Sequence, residues 1–349
     1  MSSSGCRLGI TLGDPGGIGP EIALKAVYES EKDFIPVVFG PISVMDYLPA
    51  FLEWFDIHFL AMPKNGERVK GLRWSLSAAE GLDPVPSSAA KKKLFWVNTG
   101  DTPFQIGAVA AGNGHHAHTA IQWATEACLS GDLDGMVTAP ICKEAMALAG
   151  APLTDHTTLL ASLAKSDVSM GFYSGPLRVV LVSVHCALSQ VHRHITSETI
   201  RRACHHAFAL AQYHRQSVSK NNPIRIAVAG LNPHAGENGL FGDEERLVIA
   251  PVVAALREEG LPVEGPFPAD TLFHYAYKGD FDVVVAMYHD QGLIPVKMVA
   301  FDTAVNVTLG LPFIRTSPDH GTAFALAYQG KATHTSFDAA LSLALSWRR

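Results

Sequence analysis

Apolar runs of four to six residues alternate with longer stretches in which apolar positions recur every three or four residues, from one end of the chain to the other. The short runs Leu8–Leu12, Pro36–Phe39, Gly135–Thr138, Val179–Val184, Arg225–Ala229 and Asp282–Met287 are rich in Val, Ile and Leu. Most run into polar or glycine-containing turns, the pattern of strands buried on both faces. The periodic stretches Pro20–Glu29, Ala117–Ser130, Ser197–Tyr213, Asp243–Glu259 and Ser336–Leu345 predict helices. Thr196 or Ser197 is placed to accept the free N–H groups of the first turn of its helix. Strand and helix in alternation predict an α/β protein, its largely parallel strands covered by helices. No internal repeat is present, and Pro63–Lys93, where Gly, Ser, Pro and charge are mixed, reads as peripheral.

Composition narrows this picture. A chain of 349 residues exceeds what one hydrophobic core usually serves, so two domains are expected. No linker divides them, which favours domains that exchange chain segments. The formal net charge of −6 supplies no concentrated basic surface for nucleic acid. The one basic run, Lys91–Lys93, reads as a solvated loop or strand entry. No stretch approaches the ~20 apolar residues that cross a bilayer, and the start lacks the pattern of a secretory signal. The five cysteines, Cys6, Cys128, Cys142, Cys186 and Cys204, are widely spaced without a CxxC pair, which suits a reduced compartment. A cytoplasmic protein is expected.

Candidate chemistry collects where predicted strands end, the edge at which ligands gather in open α/β sheets. Three such ends carry His185, His234 and His289, the latter two in Asn-Pro-His-Ala-Gly and Tyr-His-Asp-Gln-Gly contexts. Neutral imidazoles are good ligands for divalent transition ions, and three of them leave positions open for substrate oxygens. Any one could equally be a lone, satisfied histidine, and dozens of residues separate them. His115, His116 and His118 read as a polar helix start, since adjacent helical residues point apart; His192 and His194 read as a solvated face. Gly13-Asp-Pro-Gly16-Gly17-Ile-Gly19-Pro-Glu21 is either an anion-accepting turn at a helix start or a tight structural turn. It is not the dinucleotide fingerprint GxGxxG. Asp155-His156-Thr157 forms a compact polar cluster, and Lys297, Asn306 and Arg315 lie in apolar surroundings where an unpaired charge is costly. Those cations form salt bridges or hold phosphate or carboxylate.

Several blocks together resemble the 4-hydroxythreonine-4-phosphate dehydrogenase family of pyridoxal phosphate biosynthesis. They are Gly9–Glu21, Val137–Lys143, Leu231–Glu237, Pro268–Thr271, Met287–Gly292, Leu309–Ser317 and Asp319–Ala323, and they cover most of the chain outside roughly 40–95. The resemblance implies an isocitrate/isopropylmalate dehydrogenase-like fold of two α/β/α domains, with the active site in the cleft between them. The expected division is 1–140 plus 315–349 for the cofactor side, and 141–314 for metal, substrate and dimerisation. The resemblance further implies a homodimer in which His185 and His234 of one subunit and His289 of the other bind one divalent ion (zinc, magnesium or cobalt). It implies substrate contacts from His156, Thr157, Lys297, Asn306 and Arg315, with Lys297 and Asp270 catalytic. His320, Gly321, Thr322 and Ala323 resemble the adenosine loop of the wider superfamily, which binds NAD or NADP without a Rossmann fingerprint.

The implied reaction oxidises 4-hydroxythreonine 4-phosphate to 2-amino-3-oxo-4-(phosphooxy)butanoate, which decarboxylates to 3-amino-2-oxopropyl phosphate. Two departures stand out: Asp155-His156-Thr157-Thr158 where the family has Gly-His-Thr-Glu, and Gly16 where it has Ala. A paralogous dehydrogenase of D-threonate or D-erythronate 4-phosphate is the alternative within the family. A phosphate-ligand binding protein without catalysis is the alternative outside it.

Overall fold

A computed structural model describes residues 5–60, 91–218 and 222–347. Along the chain run β1 (Arg7–Thr11), α1 (Gly19–Glu29), β2 (Ile35–Gly40), β3 (Phe55–Phe59), β4 (Lys92–Asn98), α2 (Ala111–Leu129), β5 (Gly135–Thr138), α3 (Lys143–Leu148) and α4 (His156–Ala164). There follow β6 (Ser169–Tyr173), β7 (Arg178–Leu181), α5 (Val191–His194), α6 (Ser197–Val218), β8 (Ile226–Ala229), α7 (Ala250–Glu258), β9 (Val263–Phe267) and α8 (Ala269–Tyr277). The last elements are β10 (Val283–Ala286), α9 (His289–Ala300), β11 (Val305–Leu309), β12 (Ile314–Pro318) and α10 (Thr335–Ser346). Every strand expected from the apolar runs is present, and the protein is α/β.

Two compact units divide the chain: residues 1–166 with 311–349, and residues 167–310. The sequence reading put the first change of unit at 140/141. In the structure α3 and α4 belong to the first unit, because Met146, Leu159 and Leu160 pack into one apolar cluster with Ala117, Ile121 and Ala124 of α2.

In the first unit the strand order is β3-β4-β2-β1-β5-β12, and every pairing is parallel. The chain turns to opposite sides of β1 at β2 and β5, so the loops after β1 and β5 flank a switch point. Lys92 opens β4, as a strand entry should. The helix α2 starts six residues earlier than its apolar period announces. Its first turn carries Gly112 and Gly114, and a Cβ on Gly114 would meet the Ala145 carbonyl at 1.9 Å. Close backbone approach, rather than periodicity, selects glycine there. The histidine cluster therefore sits inside the helix, not at its start. His116 is buried, with its ring nitrogens on Thr99 Oγ1 (2.8 Å) and the Thr102 carbonyl (2.7 Å).

In the second unit the order is β11-β6-β7-β10-β8-β9. β6 is antiparallel to both β11 and β7, while β7, β10, β8 and β9 are mutually parallel. The interior strands β7, β8 and β10 are buried at every position. The helix α6 buries Ile200, Ala203, Cys204, Ala207, Leu210 and Ala211, a stripe at helical spacing. Full burial of a side chain such as Leu210 contributes about 1.5–3 kcal/mol. Thr196 caps this helix through Thr199 N–H (3.2 Å), and Thr199 Oγ1 accepts Thr196 N–H in return (3.0 Å). His192 and His194 are exposed, as expected of a solvated face. All five cysteines are free thiols. Among the described residues no helix is long and apolar enough to cross a membrane.

Candidate functional site

Two clusters emerge, one in each unit. In the second unit β10 lies between β7 and β8, and the loops at the carboxyl ends of these three adjacent parallel strands carry His185, His289 and His234. The His185 and His289 rings stand 5.5 Å apart, centroid to centroid. Two imidazoles on one tetrahedral ion, with metal–nitrogen bonds of about 2.1 Å, hold their centroids roughly 5 Å apart, so this pair fits a shared divalent cation. His289 Nδ1 lies 2.7 Å from Asp290 Oδ1. A carboxylate on one ring nitrogen orients the ring and leaves the other nitrogen to bind. His234 is exposed and packs on Phe241, with ring centroids 6.2 Å apart. Among the described residues no group of three or more His, Cys, Asp or Glu side chains stands ready to hold a metal. One chain therefore brings together His185 and His289, and His234 stays apart.

Buried polar links tie the three loops to one another. Ser183 N–H and Oγ both donate to the Met287 carbonyl (3.1 and 2.8 Å). Gln291 Oε1 accepts Met287 N–H, and its Nε2 donates to the Gly230 carbonyl, each at 2.7 Å. This one side chain joins the His289 loop to the His234 loop. Neither Gln291 nor Ser183 stood out in the sequence, although Gln291 lies inside the Tyr-His-Asp-Gln-Gly block.

The first unit holds the second cluster. Arg315 on β12 is buried, and its Nη2 donates to Thr138 Oγ1 at the end of β5 (2.6 Å). Burial pushes its guanidinium down to about 9, opposed by the Asp155 carboxylate, so it remains a cation at neutral pH. His156 opens α4. Burial first, then the charges of Arg315 and Lys143, hold its imidazole well below the usual histidine range, so it is neutral. Its Nε2 is sealed from solvent and has no hydrogen-bond partner. A buried, unpartnered nitrogen beside a buried cation is what an anionic, hydroxyl-bearing ligand would satisfy. Asp155 caps α4, accepting Thr158 N–H (3.0 Å) and Thr158 Oγ1–H (2.6 Å). The carboxylate at 155 is thereby committed to the helix start that presents His156 and Thr157. Thr138 and Lys143 are site neighbours that sequence reasoning did not single out.

The remaining expected residues lie apart from these contacts or face solvent. Lys297, on α9, sets its Nζ 5.5 Å from the Phe301 ring centroid. Asn306 is on β11, and its Oδ1 is buried without a partner. Asp270 is exposed in the first turn of α8. His320, Gly321 and Ala323 form an exposed loop after β12, with Thr322 half-buried and Ala323 left-handed at φ 42°. That loop is stitched to the glycine turn, since Ile18 N–H donates to the Thr322 carbonyl (2.9 Å) and Tyr328 Oη to the Pro15 carbonyl (2.6 Å). Asp14 within the turn is buried, and its Oδ1 accepts Gly16 N–H (2.8 Å) and Asn113 Nδ2–H (2.9 Å). Burial raises its carboxyl to about 6 against those two bonds.

Comparison with known proteins adds an independent result. The sequence pattern described as "Pyridoxal phosphate biosynthetic protein PdxA" matches residues 57–344. The chain is 42% identical over 355 residues to a 4-hydroxythreonine-4-phosphate dehydrogenase of Geobacter metallireducens, covering 100% of this chain and 97% of the relative. It is 41% identical over 339 residues to a D-threonate 4-phosphate dehydrogenase of Salmonella typhimurium, covering 96% and 97%. A crystal structure of a 4-hydroxythreonine-4-phosphate dehydrogenase from Klebsiella pneumoniae superposes with a TM-score of 0.79 at 36% identity, covering 98% of this chain and 99% of that one.

Proposed function

The chain belongs to the PdxA family of pyridoxal phosphate biosynthetic proteins, and from that premise we propose that it is a metal-dependent dehydrogenase of 4-hydroxythreonine 4-phosphate using NAD or NADP. The observation that carries the metal-dependent reading is the His185–His289 pair, 5.5 Å apart at neighbouring strand ends. His185, His234 and His289 are the proposed ligands of one divalent ion, with zinc, magnesium and cobalt as candidates. Held by those histidines, the ion would supply Lewis acidity towards the substrate's hydroxyl and keto oxygens, and a nicotinamide dinucleotide held at His320–Ala323 would supply the hydride-accepting chemistry.

The chain's own residues do the rest. Arg315 takes an anionic oxygen with a rigid fork already anchored on Thr138. His156, neutral and with Nε2 unpartnered, serves a substrate oxygen, and Thr157 on the same helix start adds a hydroxyl. Lys297 and Asn306 are further candidate substrate contacts, with Lys297 and Asp270 as the proton-handling candidates. A phosphate remote from the reacting carbon contributes orientation through binding energy. The loop His320–Ala323 is the proposed adenosine contact, held against the glycine turn through Thr322.

A homodimer is part of this reading. α9 exposes Ile294 (58%) and Met298 (81%), and Phe301 (73%) follows at the next turn, so a helical stripe of large apolar side chains is uncovered in the second unit. Stripes of this kind are usually buried against a partner. The resemblance takes His185 and His234 from one subunit and His289 from the other; in this chain His185 and His289 stand together, so His234 is the histidine proposed to reach its site across that interface. The five free thiols support a cytoplasmic setting.

A second substrate, D-threonate 4-phosphate, is favoured by one observation: Thr158 stands where the family pattern has Glu, and its hydroxyl is engaged by Asp155. Position 158 thus carries no carboxylate, and the one at Asp155 is engaged by the helix start. Purified protein should reduce NAD or NADP with 4-hydroxythreonine 4-phosphate at a higher kcat/KM than with D-threonate or D-erythronate 4-phosphate. The reverse order assigns the sugar-acid substrate, and no reduction with any of the three defeats the dehydrogenase reading.

A further inference from the structure

The loop that carries His234 is held in an unfavourable backbone conformation. His234, Ala235, Gly236, Glu237 and Asn238 have φ values of 53°, 53°, 79°, 41° and 57°, a left-handed turn in which only Gly236 is glycine. Each non-glycine residue there costs about 1 kcal/mol or more, and such strain persists only where the surroundings impose it.

One side chain fastens the segment that leads into it. Glu245 opens a π-helical turn, Glu245–Ile249, and is only 5% exposed. Its Oε1 accepts Leu231 N–H and Asn232 N–H, both at 2.7 Å, and its Oε2 accepts Asn232 Nδ2–H at 3.0 Å. The left-handed turn closes onto the same carboxylate, since a Cβ on Gly236 would stand 2.7 Å from Glu245 Oε2. Glu245 thus holds Leu231 and Asn232, shortly before His234, and packs closely against Gly236, two positions after it. Nothing else about the carboxylate points to a direct part in chemistry, because its oxygens are taken up by these donors. Gln291 fastens the same loop, at Gly230, to the backbone of the His289 loop.

We propose that Glu245 is a positioning residue that aims the His234 imidazole as a metal ligand. This rests on the ligand reading given above. Carboxylates that orient ligands typically change metal affinity 10–100-fold when removed. The experiment is Co2+ titration of the metal-stripped full-length protein, by calorimetry and visible absorption, for wild type, His234→Ala, Glu245→Ala and Glu245→Gln. Glu245→Ala should raise the Co2+ dissociation constant about 10–100-fold and change the cobalt absorption bands, with turnover partly regained at saturating Co2+. Glu245→Gln, which keeps an oxygen for the two backbone donors, should fall between it and wild type. A role confined to fold stability would lower the melting temperature without altering the bands, and excess Co2+ would not restore turnover.

Folded Glu245 variants that bind Co2+ with the wild-type constant and spectrum overturn the proposal. If Glu245→Ala does not fold, Glu245→Gln decides by the same criterion. Wild-type binding by His234→Ala is a different failure: it removes the ligand assignment itself, and the positioning role with it.

Discussion

The cluster around Arg315 and the loops of His185, His234 and His289 solve opposite problems. Arg315 is buried, donates to Thr138 and lies beside a neutral His156 whose Nε2 is sealed from solvent. The histidines stand on loop ends, His185 and His234 exposed and His289 only half-buried. In the first unit the protein has already desolvated its charge and fixed its geometry, leaving a buried cation and an unpartnered nitrogen for the proposed anionic ligand. In the second it leaves imidazoles open and puts its rigidity one layer back, in Gln291, Ser183 and Glu245. The difference follows from chemistry. A guanidinium binds an oxyanion best when its fork is fixed and dry, whereas an imidazole must stay accessible and can be aimed by what holds its loop.

This contrast can be broken at either end. The larger expected effect comes from Arg315→Lys, which keeps the charge but removes the fork and the bond to Thr138. The KM for the phosphorylated substrate should rise roughly 100-fold, about 3 kcal/mol, with Co2+ affinity unchanged. A joint loss of substrate and metal affinity would show that the two clusters are not separable. A smaller effect is expected from Asp155→Ala, which removes the cap that presents His156 and Thr157. The melting transition should lose about 1 kcal/mol, and KM should rise only a few-fold. An unchanged KM would detach that helix start from substrate binding.

Much of this was legible in the sequence, for reasons that differ by residue. Strands β1, β5, β8 and β10 announced themselves because parallel strands covered on both faces must be apolar at every position. The three histidines were legible because strand ends can be located from those same runs. The early start of α2 was not, since the Ala-Gly-Asn-Gly sequence of its first turn follows from close packing on α3 rather than from helical periodicity. His116 was misread for the same cause: with the helix start misplaced, its burial could not be inferred. The Leu309–Ser317 block marked Arg315 and the polar cluster Asp155-His156-Thr157 marked His156, but neither gave the reason for Asp155, whose part as a cap depends on where α4 begins. Glu245 gave no signal at all. It lies on a different element from His234, and only the left-handed turn brings the two segments together.

The central claim is that these histidines hold one divalent ion on which dehydrogenation depends. It is tested most directly by stripping the purified protein of metal and following NAD or NADP reduction by 4-hydroxythreonine 4-phosphate as Co2+ is added back. The account predicts no turnover in the stripped protein and a rate that saturates at one ion per chain. Full turnover by the stripped protein, or a rate indifferent to added Co2+, would contradict it.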